Sequence, residues 1–155
     1  SLNNPYYVRL LLEQQGMLQK VYGVKATGDI FSGLFEKGYL SALHIAGQSY
    51  LESEHYDLSS FFFQKALKRD PRNTEIRLLA SFSLGMNAYF VNDDSKALSA
   101  FSRLVSLKPE GKFQKEYLKK AGETCLKIEA ELREEKRLKA ALKARSLAEE
   151  IRRML

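Results

Sequence analysis

The stretch from Leu40 to Asn73 reads LSALHIAGQSYLESEHYDLSSFFFQKALKRDPRN. Leu43, Ala46, Gly47 and Tyr50 recur at helical spacing in its first half, and Phe63, Ala66 and Leu67 do so in its second. The polar tract Glu52 to Asp57 separates the halves, and Asp70-Pro71 closes the second. This arrangement predicts an αα-hairpin. Ala46, Gly47, Ser59 and Ala66 are small enough for two helix backbones to approach closely, while Tyr50 and Phe63 fill the space beside them.

The pattern returns after Asn73. The step from Gly85 to Ala97 equals that from Gly47 to Ser59, and the step from Phe101 to Pro109 equals that from Phe63 to Pro71. A second hairpin is therefore expected, with an internal turn at Asn92 to Ser95 and Asp94 or Ser95 as the N-cap of its second helix. Ala88 and Leu104 suggest that bulk has changed sides across this pair. The order Leu43, Gly47, Tyr50, Phe63, Ala66, Pro71 resembles the tetratricopeptide repeat, a helix-turn-helix unit of about 34 residues. Ala46 stands where Leu is usual in that family, and Ser59 where Ala is usual. The distance from Pro71 to Pro109 exceeds the family period by about one helical turn, so an extra turn is expected at Thr74 to Arg77.

Outward from these two units the reading is less regular. Pro5 suits a first helical turn, and a helix is expected from there to Val21 or Tyr22. Gly23, Thr27, Gly28 and Asp29 predict a loop, followed by a short helix from Ile30 to Lys37 that Gly38 closes in the left-handed conformation. We expect this pair to be a cap, the alternative being a degenerate repeat. Beyond Gly111 helix formers dominate. Two readings stand: a third, divergent hairpin with its turn in the charged tract Glu134 to Arg137, or one long helix. In the hairpin reading Ala141 to Ala144 repeats Ala97 to Ala100, and Glu129 stands where the repeat calls for Gly. The expected divisions are residues 1–39, 40–73, 74–111 and 112–155.

Three prolines and the lack of strand-like alternation favour an all-α chain. No apolar run approaches the roughly 18 residues of a membrane span, and Arg9 and Glu13 interrupt the hydrophobic stretch near the start. No signal peptide is read either, which predicts a soluble chain; because the first residue is Ser rather than Met, the compartment is left unassigned. The net charge of +6 is uneven: from Lys112 onward there are 13 Lys and Arg against 8 Glu, leaving 12 against 11 before it.

The resemblance implies a fold and a function. The fold is a right-handed superhelical stack of antiparallel helix pairs, an α-solenoid. The function is that of a non-enzymatic scaffold or adaptor, whose groove receives a peptide or helix of another protein within a larger complex. Carried over residue by residue, the groove positions are Ser41, His44, Gln48 and Leu51 in the first repeat, then Leu79, Phe82, Met86, Tyr89 and Phe90 in the second. Glu123, Leu126, Ala130 and Arg133 follow if there is a third. Phe82, Met86 and Tyr89 share one helix stripe, which suits either core packing or an exposed groove. The clamp that some members use to hold a chaperone's terminal carboxylate is not expected. His44, Gln48, Ser83 and Glu123 stand at its positions, and only Lys127 fits.

Catalytic and metal chemistry find no footing in the sequence. His44 and His55 lack the spacing that puts two ligands on one helix face, and the single Cys125 has no His near it in sequence. Asp57, Asp93 and Asp94 belong to turns, and no phosphate-binding Gly-rich motif is present. We expect no enzyme, no metal and no cofactor. The alternative partner is RNA or an anionic membrane surface, met by Arg133, Lys136, Arg137, Lys139, Lys143 and Arg145. Glu134, Glu135, Glu149 and Glu150 interleave with these, and no aromatic residue lies among them to stack on bases. Leu142, Leu147, Ile151 and Leu155 also leave a homodimer open.

Overall fold

The computed structural model describes residues 24–155, with side chains from Gly38 onward. The described residues form α-helices joined by short turns, without strands. In chain order these are α1 (Val24–Glu52), α2 (Tyr56–Arg69), α3 (Thr74–Phe90), α4 (Asp94–Ser106), α5 (Lys112–Glu134) and α6 (Leu138–Met154). The chain divides into two compact units, Ser1–Ile76 and Arg77–Leu155.

The expected helix after Pro5 lies outside the described residues. Gly23 lies outside the described residues; the rest of the expected loop to Asp29, the short helix Ile30 to Lys37 and its closure at Gly38 are replaced by one continuous helix, α1, which runs through the boundary drawn after residue 39. Glycine permits a left-handed turn without imposing one. Inside a helix it costs about 1 kcal/mol relative to Ala, a loss that a long helix absorbs, and Gly38 keeps helical backbone with open space where a Cβ would stand.

In the first unit α1 and α2 form an antiparallel pair. A Cβ at Gly47 would fall 2.6 Å from Cε1 of Phe63, so the ring occupies the notch that glycine leaves. Leu43, Phe63, Ala66 and Ile76 are buried. Leu43, Ala66 and Ile76 cluster, with Tyr39, Leu40, Phe62 and Leu67 packed around them. The Asp70-Pro71 corner is closed by polar side chains: the amide of Asn73 donates to Asp70, and its carbonyl oxygen accepts from the Ile76 N–H at 3.1 Å, capping α3.

The second unit contains two further pairs, α3–α4 and α5–α6. Gly85 receives the ring of Phe101 as Gly47 receives that of Phe63. Asp93 rather than Asp94 or Ser95 is the N-cap of α4, its carboxylate accepting from the Lys96 N–H at 3.1 Å. The helix begins one residue earlier than the pattern suggested. Residues 112–155 are two helices, and the break falls at Glu135 to Arg137.

The third pair keeps the register of the other two and changes its chemistry. The step from Gly47 to Phe63 and from Gly85 to Phe101 is also the step from Glu129 to Arg145. Glu129 is buried, its carboxylate held by Arg133 Nε at 2.9 Å and approached by Arg145 Nη1 at 3.6 Å. An ion pair thus stands where the others place a ring in a notch. The notch moves to Gly122, where a Cβ would meet Ile151 Cγ2 at 2.9 Å.

The turns of the three pairs are the same turn. Glu54, Asn92 and Lys136 each adopt positive φ, at 61°, 61° and 60°. The N–H of each bonds back to the carbonyl of Leu51, Tyr89 or Arg133, and the next N–H, of His55, Asp93 or Arg137, to that of Tyr50, Ala88 or Leu132. Ser59, Ala97 and Ala141 then donate to the carbonyls of His55, Asp93 and Arg137. The backbone repeats itself even where the side chains have diverged.

Candidate functional site

The surface carried by the first helix of each pair is where partner contacts are expected, and its residues meet different fates. In the first unit His44 is partly buried, with Nε2 3.7 Å from the Glu75 carboxylate and its ring edge-on to Phe63. Gln48, one helical turn further on, is half-buried, Ser41 is exposed, and Leu51 is buried.

In the second unit Leu79, Phe82 and Met86 are buried at 2%, 1% and 3% exposure. Phe82 and Met86 belong to a packing face covered by α5. Phe82 meets the Tyr117 ring with centroids 4.9 Å apart. Met86 Sδ lies 3.4 Å from Thr124 Oγ1, whose proton is directed to the Lys120 carbonyl at 2.8 Å. Half-buried Tyr89 donates its hydroxyl proton to Glu131 at 3.1 Å. Three contacts in ascending order on both helices show that α5 runs along α3 in the same direction. Phe90 remains outside, 63% exposed, with its ring edge against Tyr89 and with Val91 exposed next to it. The Tyr89 phenol is pushed above its ordinary pKa by burial and then by the bond to Glu131. Burial, followed by Glu131 and Glu135, likewise raises Asp94 against the opposing pull of Arg137. This corner is aromatic and acidic.

The basic residues of the third pair are exposed, and several are already engaged. Arg133 bonds Glu129, Arg145 bonds Glu149 Oε1 at 3.1 Å while approaching Glu129, and Arg137 lies 3.6 Å from Glu135. Lys136 forms the left-handed turn, and Lys139 and Lys143 are exposed on α6. Arginines paired to nearby carboxylates present alternating sign to solvent rather than one cationic field.

Among the described residues no cluster of three His, Cys, Asp or Glu could hold a metal ion. Cys125 is buried and its thiol is pushed up to about 12 by desolvation, so no thiolate is available at neutral pH. Ser83, one of the clamp positions, is fully buried. No described helix is long and apolar enough to cross a membrane.

Sequence reasoning passed over two concavities of the second unit. One, of about 630 Å³, lies between α4 and α6, is lined by serines together with Leu98 and Leu147, and has Arg137, Lys143 and Glu150 along it. The other, of about 380 Å³, is a cleft between α5 and α6 over Gly122, Leu126, Ala148, Ile151 and Leu155. The glycine at 122 and the spacing of Ile151 and Leu155 were visible signals, but Glu129 drew attention as the failed notch, and the close approach lies elsewhere. Comparison of the chain with protein-family models, curated proteins and solved structures finds no match.

Proposed function

We propose that this chain is a tetratricopeptide-like, right-handed superhelical stack of antiparallel helix pairs that acts as a non-enzymatic protein-interaction scaffold. The observation that carries the reading is the recurrence of one turn and one interhelix register in all three pairs. Repeats of this kind bury their faces by stacking and leave a continuous surface for partners. Among the described residues Cys125 is buried with its thiol pKa raised and Glu129 is held in an ion pair, which favours a binding role over a nucleophilic one.

On this reading the first unit, taken by itself, offers His44 and Gln48 on α1, and the second offers Phe90 on α3 and Leu126 on α5. Leu126 occupies in the third pair the position of Phe82 in the second; the one is covered by Tyr117, the other is 48% exposed. Leu51 in the first unit, and Leu79, Phe82 and Met86 in the second, are core residues. The alternative, a cationic face for RNA or anionic lipid, is disfavoured by the carboxylates that hold Arg133, Arg137 and Arg145.

The test places a photo-crosslinking residue at Leu126 or Phe90, with Arg103 as an exposed control, and irradiates in native extract. Discrete protein adducts at the first two positions and none at the control are expected. Adducts to nucleic acid alone, or the same smear at all three, would remove the scaffold reading.

A further inference from the structure

We infer that the α5–α6 cleft receives an amphipathic helix whose first turn is acidic and whose apolar ridge follows, lying in the same direction as α5. This rests on the scaffold reading and specifies the partner chemistry of one part of its surface.

The floor of the cleft is apolar and preformed. Ile151 and Ala148 are buried at its base, Ile151 seated in the notch that Gly122 leaves, and Leu126 and Leu155 form half-exposed rims. An elongated trough between two antiparallel helices accepts the ridge of a third helix. The direction follows from the neighbouring pair, where the corresponding face of α3 is already covered by a helix. There α5 runs along α3 in ascending register through Phe82–Tyr117, Met86–Thr124 and Tyr89–Glu131. Leu126 repeats the position of Phe82 one pair later and has no such cover.

Charge fixes the chemistry of the occupant. Through Lys119 and Leu155 the cleft runs into a second depression lined by Gly111, Lys112, Lys115 and Glu116, at the end where α5 begins. Lys112, Lys115, Lys119 and Arg152 make no ion pair among the described residues, against two similarly unengaged acids, Glu116 and Glu123. On the other wall Arg145 and Glu149 neutralise each other. The cationic excess is therefore confined to one end. A helix docked parallel to α5 brings its N-terminal turn there. Acidic residues in that turn meet the lysines and also complement their own helix dipole.

The experiment uses the whole chain and labelled helical peptides of about 18 residues, with one leucine ridge and three charge arrangements: glutamates first, glutamates last, lysines first. The glutamate-first peptide is expected to bind roughly tenfold tighter than the others at low salt, the margin shrinking as salt is added. Lys115→Glu with Lys119→Glu should turn the preference toward the lysine-first peptide, and Leu126→Asp should abolish binding of all three. Leu126 is exposed enough that this variant keeps its helical circular dichroism. Equal affinities, or binding indifferent to Leu126→Asp, would overturn the inference. So would a dimer in sedimentation that Leu126→Asp dissociates, since a second copy would then fill the cleft. Failure of the peptides with persistent crosslinked protein adducts at Leu126 removes this inference and leaves the scaffold reading; failure of both removes both.

Discussion

Replacing Gly85 with alanine adds one methyl group where three carbons of the Phe101 ring stand closer than 3.0 Å to the new Cβ. Phe101 is fully buried, so its ring has no solvent to retreat into and α3 and α4 must separate. Overpacking of this kind costs about 1 to 3 kcal/mol, while alanine in place of glycine returns about 1 kcal/mol of helix propensity. The net expectation is a loss of up to about 2 kcal/mol, or up to a few degrees in Tm for a chain of this size. Gly38→Ala supplies the reference: it makes the same change of propensity with nothing within 4 Å, and should stabilise. Urea denaturation of both variants, and of Gly85→Ala combined with Phe101→Leu, separates the terms. The smaller side chain should relieve part of the alanine's penalty and give a coupling energy of at least about 0.5 kcal/mol. Stabilisation by Gly85→Ala equal to that of Gly38→Ala, or additivity in the double variant, would refute the ring-in-notch account of the pair.

Lys136→Gly and Glu54→Gly should each raise stability by about 0.5 to 1 kcal/mol in thermal melts, because both turns hold a residue with a Cβ at positive φ; Asn92, which tolerates that region, should gain less. Glu129→Ala should cost about 1 kcal/mol in denaturant melts, a modest figure because Arg133 and Arg145 are half exposed and can return to water. Tyr89→Phe loses the bond to Glu131 and about 1 kcal/mol with it. As the native phenol titrates above its ordinary value, the advantage of Tyr89 over Phe should be constant below about pH 10 and vanish as pH rises through the native pKa, which paired melts would read. Cys125 should resist a thiol reagent at pH 8 until urea unfolds the chain; rapid labelling of the native protein would contradict its burial.

Much of the local structure was legible because its causes are local. Proline and polar tracts mark turns, small residues at fixed steps mark where two helices touch, and the notches at Gly47 and Gly85 are filled by the Phe63 and Phe101 rings. The start of α1 was misread because Gly28 and Gly38 weaken a helix without ending it. The third pair was ambiguous for a different reason. Its register survives while glycine and ring have become Glu129 and Arg145, a substitution no single-residue pattern anticipates.

The candidate surface was less legible. Phe82, Met86 and Leu126 look alike as large apolar residues on the first helix of a pair, and periodicity states only that they share a face. Which of them is core depends on whether another helix lies over that face, and α5 covers Phe82 and Met86 while Leu126 stays open. The linear chain thus determined helical class, turn positions and interhelix register, since each follows from backbone preference and side-chain size within a few turns. Exposure, the α5–α6 cleft and the approach of Arg145 to Glu129 were decided only by tertiary packing, because each depends on residues distant in sequence that displace water from, or leave it against, the same helix face.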